Sequence, residues 1–144
     1  MAPDARWREA DVVAADPSLS WTTLTIDCAD AEVLGAFYSR LLGWDITARD
    51  GAGWLQLRDP RGGVGLNVQA DASYEPPVWP ERPGHQAKMM HFEVLVDDLD
   101  EAVRLAVDSG GSEAPSQPAD RDPTRLRVML DPAGHPFCLF VEGE

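Results

Sequence analysis

Basic residues are scarce in this chain. Twelve Lys and Arg stand against 25 Asp and Glu in 144 residues, a formal net charge of −13. A protein that tracks phosphates needs a basic stripe, so this balance argues against nucleic acid as a partner. Acidity of this kind usually serves solubility. Cysteine is nearly missing as well. Cys28 and Cys138 fall in strand-like segments without C-x-x-C spacing, which reads as two buried thiols in a reducing compartment. No apolar run approaches the length that crosses a bilayer. The stretch MAPDARWREADVV lacks the basic-then-apolar order of a signal peptide. The expected location is the cytoplasm, with no membrane partner. Also lacking are a Gly-rich phosphate loop, a Ser/His/Asp nucleophile motif and EF-hand spacing.

What the chain does have is an internal repeat. Asp30 opens an apolar-periodic stretch that stops at Gly43, and Asp98 opens another, 68 residues later, that stops at Gly111. Strand-like runs precede them, TLTID at 23–27 and HFEVL at 91–95. Each copy ends in an Asp-Pro-x-Gly turn before a last strand: DPRG at 59–62 and DPAG at 131–134. A repeated unit changes the fold reading, because two modules meet at a seam. With 44 % hydrophobic residues there is material for a real core.

The local chemistry fits this division. In the first copy Leu24 and Ile26 alternate with Thr23, Thr25 and Asp27, a half-buried strand. Asp30 is an N-cap, Val33, Leu34, Phe37, Tyr38 and Leu41 form the helix stripe, and Gly43 ends it. Further strands are predicted at 44–49, 53–58 and 64–69. Residues 70–87 hold Pro76, Pro77, Pro80 and Pro83, which forbid a regular helix; this is a linker, and Tyr74 and Trp79 suggest that it drapes over something apolar. In the second copy Met89, His91, Glu93 and Leu95 share one strand face, and Met90, Phe92, Val94 and Val96 the other. Asp98 and Glu101 match a capping box, with Leu99, Val103, Ala106 and Val107 as the helix stripe. Strands follow near 112–116, 124–130 and 136–142. The predicted fold is α+β: two tandem βαβββ modules, 20–69 and 88–143, forming a curved mixed sheet around a central cavity, with residues 1–19 as an N-terminal extension.

DCADAEVLGAFYSRLLGW at 27–44, HFEVLVDDLDEAV at 91–103 and LDPAGHPFCLF at 130–140 resemble the vicinal oxygen chelate superfamily (glyoxalase, bleomycin resistance protein and dioxygenase), and within it the glyoxalase-like domain branch. The resemblance covers residues 20–143. It implies the paired-module fold and a function among metal-dependent isomerases, lyases and dioxygenases or metal-free antibiotic binders. Fold alone does not choose between them. Metal-dependent members take one ligand from the first and one from the last strand of each module. Here His91 is the only residue that matches the pattern. Its repeat equivalent is Thr23, the second-module last-strand position falls on Cys138, and the first-module one falls near Leu66 or Asn67. Catalytic zinc generally wants three protein ligands, so no cofactor is expected and a divalent metal is disfavoured.

The remaining polar chemistry sits on the faces turned away from the helices. His91 and Glu93 share one strand face, about 6.6 Å apart. Desolvation in a pocket there would raise a carboxylate pKa and suit Glu93 to proton transfer, with His91 as partner acid or base; the alternative is that the two only hydrogen-bond structurally. Thr23, Thr25, Asp27, Trp54, Asn67, Gln69, Met89, Cys138 and Phe140 are the candidate ligand-binding residues. His135 reads as a turn residue and His85 as solvated. Two functions result: a metal-independent protein binding an aromatic or apolar metabolite or antibiotic on the concave face, or a lyase or isomerase using Glu93 and His91, with or without metal. An interaction subunit is a third, weaker reading. A homodimer is expected, with modules pairing within the chain or across it.

Overall fold

A computed structural model describes residues 18–143. The extension read at 1–19 therefore lies, apart from its last two residues, outside the described residues. Module one runs β1 (Thr23–Cys28), α1 (Ala31–Leu42), β2 (Asp45–Asp50), β3 (Trp54–Arg58) and β4 (Gly65–Ala70). Module two runs β5 (Glu93–Leu95), α2 (Leu99–Asp108), β6 (Ser112–Glu113), β7 (Leu126–Leu130) and β8 (Pro136–Phe140). The two modules share one topology. Each is a four-stranded mixed sheet, β1-β4-β3-β2 in the first and β5-β8-β7-β6 in the second. β1 runs parallel to β4 and β5 parallel to β8. The fold is α+β with tandem βαβββ modules, as the repeat implies.

The repeated signals have repeated structural causes. Asp30 accepts a hydrogen bond from the Val33 N–H at 3.1 Å, and Asp98 accepts one from the Glu101 N–H at 3.0 Å; each satisfies a backbone donor the helix would otherwise orphan. In both Asp-Pro turns the Gly N–H donates to the Asp carbonyl at 2.9 Å, Gly62 to Asp59 and Gly134 to Asp131. Both glycines hold left-handed φ, 94° and 90°, where a Cβ would be strained. The helix stops differ. Gly43 ends α1 directly at φ 68°, whereas α2 ends earlier than expected, at a Ser109 cap, and Gly111 lies beyond it. Gly111 is there for space: a Cβ would come within 2.9 Å of the Leu130 carbonyl and of the Phe37 ring.

Two of the predicted stripe residues, Val33 and Val107, are about half exposed; they sit at the stripe's margins, and Ala31 and Ala102 pack inward instead. The other stripe residues meet in one core that both modules share. Leu34, Phe37 and Tyr38 of α1 lie against Leu55, Leu57, Leu66 and Val68 of the first sheet and against Phe137 and Leu139 of the second. Edge-to-face ring pairs cross the seam, Phe37 to Phe137 at 5.8 Å and Tyr38 to Phe92 at 5.5 Å. Each of the fully buried rings, Phe37, Tyr38 and Phe137, contributes roughly 1.5–3 kcal/mol, so α1 ties the modules together. The outer edges of β1 and β5 pair with no strand among the described residues.

Candidate functional site

The structure divides the predicted site residues among three places. The first is the face of the first sheet turned away from α1. Register puts Thr25, Asn67 and Gln56 in one row and Asp27, Gln69 and Trp54 in the next. Thr23 lies beside them. Asn67 is buried, and its Nδ2 donates to the hydroxyls of Thr23 and Thr25 at 3.2 Å each. Alternation along β1, β3 and β4 is the whole reason these side chains share a face.

The second place is the matching face of the second sheet. Glu93 pairs with Cys138, and Leu95 with Phe140. Apart from Glu93 this face is apolar, and Trp79 of the linker covers its β7–β8 part, while Glu93 and Leu95 stay exposed. Trp79 packs with Ala114, Val128 and Cys138, and its indole N–H donates to the Ser116 carbonyl at 3.0 Å. Lys88 lies 4.6 Å from the Trp79 ring centroid and pairs with Glu81. Cys138 is thus sealed at 8 % exposure, and burial, with Glu93 next, pushes its thiol pKa up. The drape expected of Tyr74 and Trp79 is present. The cost is that half of the expected concavity is filled by the chain itself.

The third place is the seam. A cavity of about 780 Å³ opens between the C-terminal end of α1, the starts of β1 and β4, and β5. Leu24, Leu42, Trp44, Leu66 and Phe92 wall it, and His91 and Glu93 stand on its lining. His91 Nε2 is 3.7 Å from Glu93 Oε1. The cavity is therefore built on the helix-facing sides of β1 and β4, where sequence reasoning placed only core. Glu93 keeps 64 % of its side chain exposed. The strand face drawn through Met89 also fails. β5 begins only at Glu93, and Met89 sits at φ 56° with 83 % exposure; a left-handed residue breaks the alternation before the strand begins.

A polar network was missed. Tyr38 donates to Asp131 at 2.7 Å, and the Asp131 side chain is fully buried. The same carboxylate receives the N–H groups of Ala133 and His135 at 2.9 Å and faces His135 Nδ1 at 2.8 Å. Tyr74 of the linker donates to the Ala133 carbonyl at 2.6 Å and meets His135 Nε2 at 3.3 Å. Burial, and then Asp131, pushes the Tyr38 phenol well above its usual range. His135 does serve the turn, as expected, and also joins α1, the linker and module two. The local signal was the Asp-Pro-Ala-Gly-His turn; the Tyr38 partner lies 93 residues away and leaves no local trace.

The superfamily's metal positions can be tested against this geometry. Thr25 pairs with Asn67 as Glu93 pairs with Cys138, so Asn67, rather than Leu66, is the first-module counterpart of Cys138. Thr23 is engaged by Asn67, Cys138 is sealed under Trp79, and His91 faces the seam. Among the described residues no group of three or more His, Cys, Asp and Glu is placed to hold a metal ion. These donors do not fit the superfamily's metal.

The sequence profile of the glyoxalase-like domain matches residues 23–140. The chain belongs to the glyoxalase-like domain family. Solved structures agree on the fold. A glyoxalase/bleomycin resistance protein/dioxygenase family enzyme from Burkholderia phytofirmans PsJN is 16 % identical with a TM-score of 0.60, covering 85 % of this chain and 98 % of that one. A glyoxalase/bleomycin resistance protein from Albidiferax ferrireducens T118 is 17 % identical with a TM-score of 0.56, over 85 % and 98 %. A glyoxalase-related enzyme from Fulvimarina pelagi is 20 % identical with a TM-score of 0.58, over 84 % and 86 %. No curated protein matches the chain. For this glyoxalase-like protein the family sets the scaffold, and no helix among the described residues is long and apolar enough to cross a membrane.

Proposed function

We propose that this glyoxalase-like protein binds a small, flat, largely apolar molecule in the seam cavity, without a metal. The observation that carries this is the cavity itself: about 780 Å³, apolar on most of its wall, with His91 and Glu93 as the converging polar pair. That combination of volume and lining is typical of small-molecule sites. Trp44 and Phe92 provide ring faces for stacking, and His91 provides one directional hydrogen bond.

The second reading is a lyase or isomerase in which Glu93 and His91 move a proton. The pair's 3.7 Å separation beside the cavity favours it, because one group can take a proton and the other return it. Calorimetric titration of the full chain with 2-naphthol, a neutral flat probe, tests the first reading. Binding with Kd on the order of 10–100 μM, changed less than about tenfold by Glu93→Gln, supports a binding protein. Saturable turnover of an identified substrate that Glu93→Gln abolishes transfers the assignment to the enzyme reading.

A further inference from the structure

We propose that the seam cavity selects an aromatic amine, a ligand with a flat apolar ring and a protonated nitrogen, and that Glu93 holds the ammonium group. This rests on the reading of that cavity as a binding site and adds the charge of its occupant. The cavity's chemistry is one-sided. Among the described residues that line it, none is Lys, Arg, Ser, Thr, Asn or Gln. Its polar side chains are Tyr38, His91 and Glu93, and the Tyr38 hydroxyl is committed to Asp131 at 2.7 Å. With histidine neutral, Glu93 is the only formal charge on this lining.

No Lys or Arg among the described residues pairs with Glu93; its ion-pair contact is His91 Nε2 at 3.7 Å. Two basic side chains near the cavity are turned elsewhere. Arg58 packs against Gly65, a lining residue, where a Cβ would meet the Arg58 stem at 3.0 Å. Leu57 pairs with Leu66, which walls the cavity, so alternation puts Arg58 on the other side of the sheet. There its guanidinium donates to the Thr22 carbonyl at 3.1 Å. Arg40 lies in the last turn of α1, exposed and off the lining. The helix itself adds to the negative side. It ends at Leu42, on the cavity wall, and the carbonyl end of a helix carries partial negative charge.

The rings favour the same sign of charge. An ammonium within about 6 Å of an aromatic face is attracted to its π electrons, and Trp44 and Phe92 both line the cavity. An acidic ligand meets the reverse: no cation to hold it and one carboxylate to repel it. A neutral ring uses the apolar wall and leaves Glu93 idle. The order of affinity is therefore amine, then neutral ring, then acid. Glu93 keeps 64 % of its side chain exposed, so the ion pair stays partly hydrated. Its gain is that of a good exposed pair, about fivefold in affinity.

The test is a titration of the full chain and of Glu93→Gln with three probes on one ring: 2-naphthylmethylamine, 2-naphthol and 2-naphthoate. It is run at about pH 7.5, where an alkylammonium stays charged, and the Trp44 indole resonance reports where each probe binds. The wild type should bind the amine at least about fivefold more tightly than 2-naphthol, and 2-naphthoate more weakly than either. Glu93→Gln, an exposed change off the core, should bring the amine and 2-naphthol within about twofold of each other. If 2-naphthol binds at Trp44 and the amine binds no better, the charge assignment is overturned while the cavity remains a binding site. If no probe shifts Trp44 saturably, the reading of the cavity falls and this proposal with it. An amine preference that survives Glu93→Gln would belong to the general field of an acidic protein and would overturn the role of Glu93. Amine binding that leaves Trp44 unshifted would place the amine outside the cavity and count against the proposal equally.

Discussion

Removing a single oxygen at the seam should measure how tightly the modules are locked. Tyr38→Phe deletes the hydroxyl that donates to Asp131 at 2.7 Å and leaves the ring contacts with Phe92 and Phe137 in place. Both partners are buried, and the acceptor is a carboxylate. A hydrogen bond to a charged group contributes about 1.5–3 kcal/mol. His135 Nδ1 still faces the same oxygen at 2.8 Å in the variant, so Asp131 does not become an uncompensated charge, and the upper end of that range is the ceiling. Urea unfolding at neutral pH should show this loss with an unchanged slope, and the melting temperature should fall by roughly 5–10 °C. Asp131→Ala removes the acceptor for Tyr38, for His135 and for two backbone N–H groups. It should cost more, about 3–5 kcal/mol. A Tyr38→Phe loss under about 0.5 kcal/mol would mean instead that water replaces the hydroxyl at no cost and that this bond does not lock the seam.

Three further outcomes follow from the same geometry. Burial raises the Tyr38 phenol, so the folded state keeps a proton that the unfolded chain releases; stability from this group is intact below about pH 10 and declines as pH rises past it, and Tyr38→Phe should flatten that decline in alkaline unfolding curves. Trp79→Ala should uncover Cys138 and speed its reaction with a thiol reagent at least tenfold, while Cys28, fully buried with a thiol pushed up to about 11, stays slow; mass spectrometry of labelled peptides separates the two. Gly111→Ala should destabilise by about 1–3 kcal/mol through overpacking, since the new methyl meets backbone on two sides; a neutral result by thermal melt would show that the α2–β7 approach is looser than it stands.

Much of the scaffold could be read locally. Asp30, Asp98, Gly43 and the two Asp-Pro turns act through bonds within a few residues, and each does what its residue type suggests. The alternation in β1 and β4 grouped Thr23, Thr25, Asp27, Asn67 and Gln69 on one face for the same reason. The site was less legible because its decisive contacts are distant in sequence. Trp79 packs onto Cys138 from the linker, 59 residues away in sequence, and closes it off. Met89 and His91 precede β5, and a period-two pattern cannot reveal that a strand starts two residues late. The seam cavity arises from how α1 bridges the two sheets, which no single segment encodes.

On the proposed function, a flat apolar ligand occupies the seam cavity beside His91 and Glu93. Val64 lines that cavity and is 36 % exposed, so Val64→Trp fills the space without disturbing the core. The most direct measurement is titration of 2-naphthol into the full chain and this variant, followed at the Trp44 indole resonance. Saturable binding to the wild type is expected, with at least tenfold weaker binding to Val64→Trp. Equal affinity for both proteins, or no saturable shift at Trp44 in either, would contradict it.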